Sequence, residues 1–70
     1  MKRLKIAVNA RMLIKDRLDG IGRFAYQTLK RVTKAHPEVD FIFLFDRKFS
    51  DEFIFSKNVT PIVIPPPTRH

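Results

Sequence analysis

Asp19-Gly20-Ile21-Gly22-Arg23-Phe24-Ala25 is the stretch best equipped for chemistry, and it holds both of the chain's glycines. It stands where a loop gives way to a helix. Unpaired N–H groups and the helix dipole make such a point suitable for phosphate. Gly20 and Gly22 would let a phosphate approach the backbone closely, and Arg23 would add a charged contact. Gly20-x-Gly22-x-x-Ala25 also matches the G-x-G-x-x-G/A dinucleotide fingerprint, with Asp46 where that motif keeps its ribose-binding acid. Against this, the fingerprint's first glycine follows its strand almost at once, whereas here Met12 to Asp19 intervene. The plainer alternative is that the glycines turn the chain and let the helix pack closely.

Other chemistry is thinly represented. Asp51-Glu52 are adjacent, so in an extended segment they point apart, which suits a turn better than an acid–base pair. Asp16 and Asp19 precede the helix, where turn and N-cap roles compete with accepting hydrogen bonds from a sugar. There is no Cys, which removes disulfides, thiolate metal sites and cysteine nucleophiles. His36 precedes a proline and His70 is the last residue. No catalytic triad or metal-ligand cluster is visible, and no cofactor is expected.

The elements that must position these residues follow from periodicity. Ile6-Ala7-Val8 predicts a strand over about 4–10, buried on both faces. From Gly20 the period becomes helical. Ile21, Phe24, Ala25, Thr28, Val32 and Ala35 would form a core face with Leu29 beside it, opposite a basic face of Arg23, Gln27, Lys30, Arg31 and Lys34. Asp19 is the expected N-cap, Lys34 and His36 favour the C-terminal end, and Pro37 stops a helix of about 20–36. Phe41 to Phe45 lie between two Asp and predict a second strand, about 40–46, with apolar residues on both faces. Residues 47–58 read as a loop with a helical turn. A third strand, about 59–64, contains Pro61 and so belongs at an edge or begins there. Pro65 to His70 read as an extended exit. The expected fold is α/β: a partial Rossmann-like βαββ unit with a parallel three-stranded sheet.

Two features together resemble the N-terminus of family 4 glycosyltransferases. These are Lys5-Ile6-Ala7-Val8-Asn9-Ala10-Arg11-Met12 and, after a short loop, Gly20-Ile21-Gly22-Arg23-Phe24 opening a helix. That family often ends its first strand in D-A-R or N-A-R and continues with G-I-G-R-Y/F. The resemblance spans nearly all 70 residues. It implies a two-domain GT-B enzyme that transfers a sugar from a nucleotide-sugar to an acceptor with retention of configuration. The chain would be the incomplete N-terminal, acceptor-side domain of that enzyme, and inactive alone. Gly20, Ile21, Gly22 and Arg23 would form the donor-phosphate loop, with Asn9 and Arg11 on the acceptor side of the cleft. The family's paired glutamates and histidine-bearing segment have no counterpart among these residues.

Composition bounds the partners. Fourteen Lys and Arg against seven Asp and Glu give a net charge of +7. The charges are dispersed, and no recognition-helix or RNA-binding signature accompanies them, so nucleic acid is not the expected partner. The basic helix face reads first as an ordinary solvated face, with contact to an anionic membrane surface as the alternative. The start fails as a signal peptide, because Lys5, Asn9 and Arg11 break up its apolar run. This predicts a cytoplasmic protein, and the basic helix face leaves open a peripheral place at the inner face of the membrane. Seventy residues, seven of them Phe, give roughly half an ordinary domain. One helix covers one sheet face, so the other predicts self-association or marginal stability. Two further readings stay open: a small basic self-associating module binding an anionic partner, and a truncated dinucleotide-binding domain.

Overall fold

The computed structural model describes residues 3–15 and 18–65. In it, strand β1 (Leu4–Asn9) leads through helix α1 (Gly20–Ala35) to strand β2 (Val39–Phe45). A short 3-10 turn (Asp51–Phe53) then leads to strand β3 (Val59–Val63). The sheet order is β1-β2-β3 and both pairings are parallel. This is the expected α/β arrangement, with element limits within a residue of the predicted ones. The ladders run one residue further than the strands: the Ala10 N–H donates to Leu44 O at 2.9 Å and the Ile64 N–H to Phe45 O at 2.7 Å. Residues 16, 17 and 66–70, which include Asp16 and most of the expected proline exit, lie outside the described residues.

Local chemistry sets the helix ends. Asp19 is extended, and its carboxylate accepts from the Gly22 N–H at 2.9 Å, as expected of an N-cap. At the other end the His36 N–H donates to Val32 O, and Pro37 comes next. The carbonyls exposed there meet Asn58 from the start of β3. Its amide lies 3.0 Å from the carbonyls of Thr33, His36 and Val39. The Ser56 hydroxyl donates to the Asn58 side-chain oxygen, which turns the amide nitrogen toward those carbonyls. One side chain thus joins the end of α1, the start of β2 and the start of β3.

The core lies on one face of the sheet. Val39, Phe41, Phe43 and Phe45 alternate inward along β2, with Phe43 completely buried. Phe53 and Phe55 from the second connection pack on Phe45 and Phe43, and Tyr26 of α1 meets both edge-on at 6.1 and 5.2 Å. Helix and second connection therefore cover the same face. Parallel partners share a face, so the register puts Ala7, Ile42, Leu44, Thr60 and Ile62 together on the other one. There Ile42 and Leu44 are half-buried and Ile62 is 42% exposed.

Two expectations are corrected. β1 is not buried on both faces: Leu4 is 61% and Ile6 39% exposed. It is one of the two edge strands, and α1 packs its Tyr26 on Phe53 and Phe55 of the second connection. The helix is also rotated from the expected setting. Gly22 and Thr33 are buried, with Ala25, Tyr26, Leu29 and Val32 half-buried between them. Ile21, Phe24, Thr28 and Ala35 face solvent. Gly22 allows the close approach, and Thr33 can be buried because its hydroxyl donates to Leu29 O at 2.8 Å.

The two faces of β2 should respond differently to truncation. Phe43→Ala is expected to cost about 3–5 kcal/mol, the range for emptying a filled aromatic site. Leu44→Ala, on the uncovered face, should cost roughly 1 kcal/mol. Denaturant titration of both variants checks this. Equal losses would mean that the second face is covered in solution.

Candidate functional site

β1 delivers Asn9 and Arg11 to the carboxyl end of the sheet. The Asn9 side-chain oxygen accepts from the Arg11 N–H at 3.2 Å, which turns the chain as it leaves the strand. Buried Ala10 and Leu13 hold this corner against the core, and the Leu13 N–H donates to Ala10 O at 2.9 Å. Arg11 is left exposed.

Asn9 and Arg11 line a hollow of about 240 Å³ with Leu44, Phe45, Asp46 and Ile64, so the ends of all three strands contribute. This is where open α/β sheets place ligands. Asp46 is occupied by its neighbour: Arg47 Nε donates to it at 3.0 Å. That hydrogen bond holds the Asp46 carboxyl below the usual carboxylate range, with smaller help from the charges of Arg47 and Arg11. The hollow thus offers an amide and a guanidinium over an apolar floor, with an ionised carboxylate at its side. Such a set can orient hydroxyl groups. A larger hollow, about 340 Å³, lies at the opposite end of the sheet, around the Arg3–Asp40 ion pair and Asn58. There Arg3 is engaged with Asp40 and the Pro37 carbonyl, and Ser56 with Asn58.

The glycine segment opens α1 as expected, but Gly20 to Arg23 do not line the Asn9 hollow. The structure brings Asn9 and Arg11 together and leaves the glycine segment as a separate element. Its first turn is also partly spoken for. The Asp19 carboxylate holds the Gly22 N–H, and Asp19 O accepts from the Arg23 N–H at 2.7 Å. A carboxylate at this point competes with any phosphate brought to it.

The two glycines are not equivalent. A Cβ at Gly22 would stand 3.0 Å from the Met12 carbonyl oxygen and 3.3 Å from the Leu18 side chain. Gly22 is therefore needed for packing. A Cβ at Gly20 would meet nothing within 4 Å, so the fold has no use for the missing side chain there. Beside them, Ile21 and Phe24 are 72% and 73% exposed, and Arg23 is exposed as well.

Leu44, Phe45 and Ile64 escaped sequence reasoning as site residues. They reach the hollow through strand register, which their own spacing does not reveal. Among the described residues no three His, Asp or Glu side chains are grouped to hold a metal ion, and no helix is long and apolar enough to cross a membrane. Comparison with protein-family models, with curated proteins and with solved structures finds no match for this chain.

Gly22→Ala is expected to destabilise by about 1–3 kcal/mol, because a backbone carbonyl and a packed side chain must move. Gly20→Ala should be neutral or stabilise by up to about 1 kcal/mol, since it restricts only the unfolded chain. Thermal unfolding of both variants distinguishes them, and an equal loss would assign Gly20 a structural role.

Proposed function

We propose that this chain is the N-terminal, acceptor-side part of a retaining GT-B glycosyltransferase, which transfers a sugar from a nucleotide-sugar to an acceptor. The observation that carries the reading is the arrangement at the carboxyl end of the sheet. Asn9 and Arg11, at the start of the first connection, border the hollow there. Further along that connection stands Gly20, a glycine that packing does not require. The N-A-R and G-I-G-R-F features fall on those two points, and the parallel strand–helix–strand order agrees with the family's first domain. In this reading Asn9 and Arg11 hold acceptor hydroxyls, while the backbone of Gly20 to Gly22, with Arg23, faces the donor phosphates. The transfer in this reading relies on the family's paired glutamates and histidine-bearing segment, which have no counterpart among these residues, so the 70 residues alone are inactive.

The test is sugar transfer. The full-length protein should transfer from a nucleotide-sugar with retention, and the isolated chain should not. Gly20→Ala should lower kcat/KM by at least about tenfold, because the added methyl holds a phosphate away from the backbone N–H groups it would otherwise meet, with no loss of thermal stability. Transfer by the isolated chain, or full activity in the Gly20→Ala enzyme, would contradict the assignment.

A second reading concerns where the enzyme works, and the rotation of α1 favours it. Ile21 and Phe24 project from the first turns of a helix whose outer face carries Arg23, Lys30, Arg31 and Lys34. Exposed apolar side chains among cations suit the surface of an anionic bilayer. The chain is expected to bind anionic vesicles in a salt-sensitive way and to ignore neutral ones. Replacing Ile21 and Phe24 by Ser should weaken this binding by at least about tenfold. Equal binding to both vesicle types would dismiss the membrane.

A further inference from the structure

The connections after β1 and β2 border a second hollow, of about 310 Å³, lined by Lys15, Lys48, Phe49 and Ser50. Lys15 belongs to the first connection and the other three to the second. The hollow therefore also lies toward the carboxyl end of the sheet, yet it shares no residue with the one around Asn9. Among the described residues none that lines it is acidic. Among the described residues neither lysine is in an ion pair with a carboxylate.

Two ammonium groups on one small hollow repel each other unless an anion lies between them. Glu52 stands beside the hollow, where its carboxylate accepts from the Ser50 hydroxyl at 3.2 Å, but it is not among the lining residues. Its aromatic wall is fixed, because the Phe49 ring stacks on Phe45 with centroids 4.9 Å apart. The volume is at the lower end for a small-molecule site, which suits one compact ligand and not a polymer.

We propose that this hollow binds the phosphate group of a small phosphate ester. The Lys15 and Lys48 ammonium groups take its oxygens, and its carbon part lies against the Phe49 ring. A dianionic phosphate matches two lysine charges, and lysine binds phosphate as a mobile point charge without requiring fixed fork geometry. Either a sugar phosphate or a nucleoside monophosphate has this chemistry. The site stands on its own residues, so it is independent of whether the protein transfers sugars.

The test is titration of the chain, followed by backbone amide NMR, with a hexose phosphate, a nucleoside monophosphate and their unphosphorylated parents. Both esters should move the amide resonances of Lys15 and of Lys48 to Ser50, and the tighter of the two identifies the source. The parents should leave these resonances in place. Lys15→Met and Lys48→Met should each weaken binding by roughly tenfold, the loss of one charge-assisted contact. Lys34→Met removes the same charge from the outer face of α1 and should change nothing. The proposal fails if Lys34→Met weakens binding as much, since that is diffuse attraction to a chain of charge +7. It fails equally if the parents bind like the esters, or if no shift appears in the millimolar range.

Discussion

Parallel pairing forces each connection to run back along the sheet before the next strand begins, and here both connections cross the same face. The interior strand β2 bears the consequence. Its inward row of Val39, Phe41, Phe43 and Phe45 becomes the floor of the whole core, and every covering element has to reach it from one side. Helix α1 covers it from that side with Tyr26, and at Gly22 it comes close against the first connection, where the Met12 carbonyl leaves no room for a side chain. The second connection reaches it with Phe53 and Phe55, which enclose the cluster against Tyr26. Asn58 then fixes the far end, because its amide serves carbonyls from the helix and from β2 while its own backbone leads into β3. A one-sided core of this kind makes Phe43 and Asn58 structural and frees the carboxyl ends of the strands for other uses.

Element limits were legible because they depend on local chemistry. Asp19 can cap only a helix that begins directly after it. Pro37 ends a helix wherever it stands, and five apolar residues between Asp40 and Asp46 leave little choice but a strand. Features that depend on packing were not legible. Ile21 and Phe24 fit a helical stripe as well as Tyr26 and Leu29 do. The choice between the stripes is made by the closeness Gly22 permits and by the rings waiting for Tyr26. The burial of Thr33 was hidden for a related reason, since its polarity disappears once the hydroxyl turns to its own helix. β1 looked doubly buried because its residues are apolar, but burial comes from neighbours, and the sheet order places it at an edge.

The candidate site divides along the same line. Asn9, Arg11 and the glycine segment were visible as residue types at telling positions. Their separation into a hollow and a distinct helix start required the geometry. The two glycines show the difference most directly, for only Ile21 lies between them and they look alike in the sequence. The space around each differs: Gly22 is held by packing and Gly20 is not. Lys15 and Lys48 lie 33 positions apart (48 − 15) and come together through the register of β1 with β2, which no local pattern encodes.

The two edges of the sheet are also unlike, and the difference bears on the site. The Ile64 N–H points to β2, so alternation turns the position of Pro61 outward. That edge then lacks a donor in its middle, which is how proline protects a strand from further pairing. At the other edge the Ala10 N–H points to β2, and the same alternation turns the N–H and C=O groups of Lys5, Ala7 and Asn9 outward. β1 is thus the edge equipped to continue the ladder, and it ends in Asn9 beside Arg11. A strand added there would turn the present shallow hollow into a crevice between two strand ends, where open α/β sheets bind ligands. The exposure of β1 and the shallowness of the hollow then have one cause: both belong to a sheet with an open edge beside Asn9 and Arg11.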